Sequence, residues 1–261
     1  MKLFRSVSVN RNACPENLYE AILRLKPDAA GTLSFHLEAH PGDEENARLV
    51  EDIVRLCEHG GLKATKGDTV GAYVHLVLPV YEAADLTGAA LLLLEGGRTL
   101  LYDIERDPLG RLVLPATKAK PSLKTATVYL THWTILSDET RRTLESGSLA
   151  GLQFAEVVVK GQSIQAARTP FWELRTSIGL PRMAGPVKFD ERGVALTHQL
   201  PHGEIHYCQS DLERVGRFDI AHTRENYIHT HPAFIISQRF YQHCLKHKIP
   251  VHVRPVRIDS D

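Results

Sequence analysis

The sequence predicts an α+β protein in which mixed sheets carry helices in two subdomains. Three observations predict this class. Strand-like alternation and helical periodicity interchange along the first third, a basic proline-containing stretch follows at residues 115–124, and a strand–helix–strand pattern then occurs twice. We therefore expect an N-terminal α+β subdomain at residues 1–115. A C-terminal α+β subdomain that carries the repeat is expected at residues 123–261.

In the first third, two segments have helical periodicity and the remainder alternates. One helix is expected from Pro15 to Leu25, and a second is expected to begin at Asp43 and end at Gly60-Gly61. Asp43, Glu44 and Glu45 are favourably placed in the first turn of that second helix. Strands are expected at residues 3–9 (as an edge strand), 32–37, 72–80 and 89–94, and a hairpin of residues 99–104 and 111–114 around the turn at 107–110.

The repeat consists of an apolar run, a serine, an amphipathic stretch and an alternating apolar segment. In the first copy Trp133 precedes the run that ends at Ser137, and in the second copy Ala233 opens the run that ends at Ser237, 100 residues later. A serine between an apolar run and a helix predicts an N-cap, because its hydroxyl accepts from backbone N–H groups of the first turn. Each copy is therefore interpreted as strand, helix and strand.

Composition argues against several functional classes. Thirty-one basic residues balance thirty-one acidic ones, and 43% of the residues are hydrophobic. A dedicated nucleic-acid binder usually has a basic excess, so no nucleic-acid partner is expected. The N-terminus lacks the apolar core of a signal peptide, and the longest apolar run is too short to span a bilayer. Four scattered cysteines suggest no disulfide framework. These features predict a soluble cytoplasmic protein without a membrane partner.

Histidine is the one residue type that is enriched, with fourteen in the chain. His229 and His231 would point to the same side of a strand, and His222 lies near by in sequence, so these three residues are a candidate metal site. The motifs HExxH, GxSxG, GxxxxGK[ST] and GxGxxG are absent. No catalytic residues and no cofactor are therefore expected.

Several residues are candidate anchors for a protein partner. Trp, Tyr and Arg side chains carry much of the binding energy at protein interfaces. The alternative for the two tryptophans, Arg224 and Tyr227 is a place in the core or between the subdomains. The acidic run at the start of the second helix could also meet a basic partner. The candidate partner-binding residues are Trp133, Trp172, Arg224, Tyr227, Asp43, Glu44 and Glu45.

The repeat-bearing half also resembles known families. The segment Phe234–Phe240, followed by Ile249–Val256 with its Pro255-Val256 ending, resembles the C-terminal part of bacterial immunity proteins. These are the double-CXXCG motif family and the related Imm11-like type. The stretches Ile135–Glu139 and Phe171–Pro181 fit the same pattern. The likeness covers roughly residues 123–258, and the paired CXXCG motifs are missing, so no zinc-dependent feature is carried over.

The resemblance implies a cytoplasmic immunity protein of interbacterial competition. Such a protein would bind and neutralise a cognate toxin through protein–protein interaction, without catalysis. The alternative, from a different class, is a metal-dependent hydrolase or metal-binding module that uses His222, His229 and His231. A homodimer in which the repeat forms the contact is a third possibility.

Overall fold

The computed structural model describes residues 2–27, 34–65, 71–97, 99–129, 131–161, 170–185, 187, 189–191, 194–195, 204–227 and 231–260. Helices and mixed sheets occur together, so the predicted α+β class is confirmed. The chain divides into two compact units, Met1–Glu82 and Ala83–Asp261. Across the described ranges, every helix is too short or too polar to cross a membrane.

The first unit is a three-stranded antiparallel sheet with two helices. Its elements are β1 (Lys2–Asn10), a 3-10 turn (Arg11–Ala13), α1 (Glu16–Leu25), β2 (Ser34–Ala39), α2 (Glu44–His59) and β3 (Tyr73–Val80). The sheet order is β2-β1-β3. The strand predicted at the edge is therefore the central one, because β2 and β3 pair with its two sides.

Helix α2 forms as its sequence predicts. The Asp43 carboxylate accepts a hydrogen bond from the Asn46 backbone N–H at 3.0 Å, and Gly60 follows the last helical turn. Its apolar side chains recur at helical spacing and all face the core of the unit. They are Val50, Ile53, Val54 and Cys57.

The second unit contains the remaining thirteen named strands and four helices of the described chain. Its helices are α3 (Ala83–Gly88), α4 (Asp138–Ser146), α5 (Gln209–Val215) and α6 (Gln238–Lys246). Its first strands are β4 (Leu91–Gly97), β5 (Thr99–Leu101), β6 (Glu105–Arg106), β7 (Leu112–Pro115), β8 (Thr125–Val128), β9 (Thr134–Ser137), β10 (Gln153–Lys160) and β11 (Phe171–Arg175). The later strands are β12 (Val194–Ala195), β13 (His206–Cys208), β14 (Ile220–Tyr227), β15 (Pro232–Ser237) and β16 (Val251–Asp259).

The internal repeat is confirmed and extends beyond the two predicted copies. The first copy is β9-α4-β10, the second is β15-α6-β16, and each lies in a different sheet. The seven-stranded sheet has the order β5-β8-β9-β11-β10-β7-β6, and the six-stranded sheet has the order β12-β14-β15-β4-β16-β13. We compare the seven-stranded sheet read across from β5 to β7 with the six-stranded sheet read across from β12 to β13. Both show the same order of pairings: parallel, three antiparallel, parallel.

Each sheet contains the strands of one copy and one further strand that lies next to the other copy in the chain. Strand β4 precedes the first copy in the chain but pairs with β15 and β16 of the second copy. Strand β11 precedes the second copy but pairs with β9 and β10 of the first copy. If the duplicated segments begin at β4 and at β11, the first strand of each segment lies in the sheet formed by the other segment.

Residues at equivalent positions of the two copies are in direct contact. The side chain of His243 bonds the Thr143 carbonyl oxygen, with 2.8 Å between His243 Nε2 and that oxygen, and the two residues are 100 positions apart. A contact between equivalent residues is what a two-fold relation produces. The buried cluster around this contact contains three further pairs with the same spacing. They are Leu136 with Ile236, Leu144 with Cys244, and Leu149 with Ile249.

Both predicted serine caps are present. Ser137 Oγ accepts from the Thr140 N–H at 3.2 Å, and Ser237 Oγ accepts from the Phe240 N–H at 3.1 Å. Ser237 Oγ also donates to the buried Asp219 carboxylate at 2.7 Å.

Removing these hydroxyls should therefore have unequal effects. Ser137→Ala is expected to lower the free energy of unfolding by about 1 kcal/mol, the usual value of a cap. Ser237→Ala is expected to cost about 2–3 kcal/mol, because a bond to a buried carboxylate is lost as well. Urea unfolding of the two variants measures the difference, and equal costs would contradict this assignment.

The boundary between the units differs from the predicted one. Strands β4 to β7 belong to the second unit, because β4 is a central strand of the six-stranded sheet and β7 pairs with β10. The stretch 115–124 is not a linker. Ala119 and Leu123 within it are 4% and 7% exposed and lie in the core around β7 and β8.

The hairpin predicted in this region is also rearranged. The turn at 107–110 forms, but its first strand is β6, which pairs with β7. Strand β5 pairs in parallel with β8 instead. Leu101 of β5 is buried in the same cluster as Val128 of β8, which accounts for this pairing.

Candidate functional site

A pocket of about 300 Å³ in the second unit gathers charged, aromatic and imidazole side chains. We call it the arginine pocket. The residues that define it are Arg106, Trp133, Glu173, Arg175, His222 and His231. They come from β6, β11 and β14 and from the residues just before β9 and β15, so strands of both sheets contribute.

A buried carboxylate lies at the centre of the arginine pocket. Glu173 is 3% exposed and follows Phe171 on the inward face of β11, because alternate residues of a strand share a face. The equivalent position in β4 is Leu93, since Glu173 is opposite Ile135 and Leu93 is opposite Ile235. At equivalent positions of the two halves, β4 thus has a buried leucine and β11 has a buried glutamate. Such a buried charge needs compensation by cations.

Two guanidinium groups supply that compensation. Arg106 donates to Glu173 Oε1 at 2.7 Å and to Oε2 at 3.1 Å. Arg175 donates to Oε2 from Nε at 3.0 Å and from Nη2 at 2.7 Å. Both arginines also donate to the Gly110 carbonyl oxygen, which ties the 107–110 turn to the pocket. Four charge-assisted hydrogen bonds to Glu173 fix both guanidinium planes.

Trp133 forms an aromatic wall between a cation and an imidazole. The Arg106 Cζ atom lies 4.2 Å from the ring centroid, a cation–π contact. The His231 ring meets Trp133 nearly edge-on, with centroids 4.7 Å apart. Burial, together with the nearby Arg106 charge, lowers the pKa of His231 below its usual value.

The described hydroxyl and carboxylate groups offer no activated nucleophile in the arginine pocket. Glu173 already accepts four hydrogen bonds. Thr176 Oγ1 donates to the Ile220 carbonyl oxygen, and Ser177 Oγ accepts from the Gln153 amide. Within the described chain, neither hydroxyl is hydrogen-bonded to a histidine, the usual activating base. The arrangement is suited to holding a ligand.

Two of the three predicted metal ligands line this pocket. His222 and His231 are brought together as the sequence suggested, while His229 lies outside the described residues. His222 Nδ1 is 2.9 Å from the Thr223 carbonyl oxygen, to which it donates, so Nε2 is the ring nitrogen left to bind a metal. The described residues hold no group of three or more possible metal ligands. The metal site stays a prediction.

The predicted partner-binding residues are scattered. Trp133 lines the arginine pocket. Trp172 faces the other way from β11, with its Nε1 donating to Asp138 at 2.9 Å. Arg224 is exposed on β14. Tyr227 is 1% exposed and packs in the core, so its prediction as an exposed anchor is wrong: the end of β14 points it inward.

The acidic run lies in the first unit, where its role is capping. Asp43 is the N-cap of α2, and hydrogen bonds from Asn46 hold the pKa of its carboxyl below the usual value. Glu44 and Glu45 are exposed in the first turn. This position accounts for all three residues without a partner.

Sequence reasoning missed Arg106, Glu173 and Arg175. One signal could have found them. A glutamate in the middle of Phe171–Leu174, aligned with four consecutive leucines in the other half, departs from the pattern of a buried strand. Comparisons of the chain with family models, curated proteins and solved structures return no match.

Proposed function

We propose that this chain is a non-catalytic binding protein that recognises a partner protein at the arginine pocket. One observation carries the proposal. The only carboxylate among the described residues that define the pocket accepts four hydrogen bonds from Arg106 and Arg175, and two adjacent cations make it a weak base. The side chains that remain to meet a partner, Trp133 and the arginines, are types that dominate protein interfaces.

Preorganisation supports a role in binding. The hydrogen bonds to Glu173 and Gly110 already fix Arg106 and Arg175, so less side-chain entropy is lost when a partner arrives. A specific complex would bury on the order of 800 Å² on each side, with the arginine pocket at its centre.

The proposed partner is a toxin of interbacterial competition, which this chain would neutralise in the cytoplasm. The resemblance of residues 123–258 to immunity proteins supports this identity. Confirmation of the repeat that carries the resemblance adds indirect support. On this proposal the interface is complementary in shape and charge, and no bond of the toxin is cleaved.

Growth rescue tests the proposal. The chain is co-expressed with each toxin encoded beside its gene, and a cognate toxin should be neutralised and should copurify. Trp133→Ala should abolish or strongly weaken the rescue. Arg254→Met is a matched control. Arg254 forms an ion pair with Glu95, and Glu95 is the residue of β4 that corresponds to Arg175 of β11. Failure of every neighbouring toxin to be neutralised would refute the proposal.

A further inference from the structure

The arginine pocket carries more positive than negative charge. Among the described residues that define it, Arg106 and Arg175 are two cations and Glu173 is one anion. The guanidinium and carboxylate groups of the described lining therefore carry an excess of one positive charge.

Arg175 presents the part of this charge that can meet a ligand. Its side chain is 43% exposed, against 28% for Arg106. Nε and Nη2 of Arg175 are engaged by Glu173 and Gly110. Within the described structure, Nη1 makes no hydrogen bond, so its two N–H groups remain to donate.

Apolar groups border this donor. Trp133, Pro232 and Phe234 line the same pocket. A ligand seated there exchanges part of its water for these walls, and the lower local dielectric strengthens its attraction to Arg175. A carboxylate oxygen can accept a charge-assisted hydrogen bond from Nη1 of Arg175.

We propose that the arginine pocket binds a carboxylate, contributed by an acidic side chain of the partner protein. A monoanion neutralises the excess charge, whereas a dianionic phosphate would leave a net negative charge in a partly desolvated site. That the carboxylate belongs to a partner protein rests on the proposed function. That the ligand is a carboxylate rests on the pocket alone.

The chain's two tryptophans allow a direct test. The whole protein, labelled with ¹⁵N, is titrated with the capped tripeptide Ac-Gly-Glu-Gly-NH₂ while the two indole N–H signals are followed. The Trp133 signal should shift and saturate, and the Trp172 signal should stay, because Trp172 Nε1 is bound to Asp138 on the opposite face of β11. The uncharged Ac-Gly-Gln-Gly-NH₂ should shift neither signal.

Two further probes identify the source of the anion. Ac-Gly-Gln-Gly with a free C-terminal carboxylate presents a chain end, and butyrate presents a free small monoanion. The proposal expects the Glu side-chain peptide to bind more tightly than either. Tighter binding of the chain-end peptide or of butyrate would overturn the assignment to a side chain. A shift with only a phosphoserine tripeptide would overturn the carboxylate itself.

Variants distinguish recognition from folding. Arg175→Met should weaken Ac-Gly-Glu-Gly-NH₂ by about ten-fold or more, the loss expected for a charge-assisted hydrogen bond, and Arg175→Lys should weaken it less. Arg254→Met should bind as the native chain does, because Arg254 lies outside the pocket lining. Unchanged binding by Arg175→Met, with both indole signals in their native positions, would refute the proposal. Toxin rescue without probe binding would refute this inference only, and probe binding without rescue would refute only the proposed function.

Discussion

Arg106→Met is expected to lower the free energy of unfolding by about 3–5 kcal/mol, measured by urea denaturation. The substitution leaves the Glu173 carboxylate, with its side chain 4% exposed, beside one guanidinium in place of two. A buried charge that loses a partner keeps the cost of its desolvation, while the attraction that offset this cost is reduced.

A second substitution tests this reason. Arg106→Met combined with Glu173→Leu should recover most of the lost stability, because leucine is the residue at the equivalent position 93, where it is 2% exposed. Arg175, at 43% exposure, can then turn toward water. Arg254→Met removes a comparable pair whose Glu95 is 30% exposed, and it should cost less than about 1 kcal/mol. If Arg254→Met costs as much as Arg106→Met, burial of Glu173 is not what makes the arginine pocket critical.

The second large effect concerns where the chain can be divided. A fragment of residues 83–261 is expected to fold alone, because it contains every described strand of the two larger sheets. A fragment of residues 123–261 is expected to remain unfolded. It lacks β4, whose four leucines are 8%, 0%, 2% and 2% exposed and lie between β15 and β16. Each buried leucine contributes about 1.5–3 kcal/mol.

Amide NMR spectra decide between the two outcomes. Dispersed signals from residues 83–261 and collapsed signals from residues 123–261 are expected. Residues 1–82 provide a control, since that fragment contains a complete sheet with both of its helices. A dispersed spectrum from residues 123–261 would mean that the six-stranded sheet does not need β4.

Local structure could be predicted well from this sequence. The buried face of α2, the cap at Asp43 and the caps at Ser137 and Ser237 follow from spacing and residue type alone. Each depends on residues within a few positions of one another. The duplication could also be predicted, because its copies have the same pattern at constant spacing.

Long-range pairing could not be predicted in this way. Nothing in Leu91–Leu94 indicates that its neighbours are β15 and β16, more than 130 residues later. The same limit hid the arginine pocket. Arg106 and Glu173 are 67 residues apart, and nothing in either segment indicates that the two residues meet. The prediction of Tyr227 as an exposed anchor failed for a related reason, since its burial depends on how the end of β14 packs.

The exchanged strands have a consequence for the origin of the second unit. A chain with a single copy of the duplicated segment would hold its opening strand away from its own sheet, leaving a gap between two strands. Two such chains could fill each other's gaps, as domain-swapped dimers do. Joining the copies end to end turns that obligatory association into a covalent one. In such a joined chain each half is free to diverge, and one strand can carry a charge where its counterpart has a leucine.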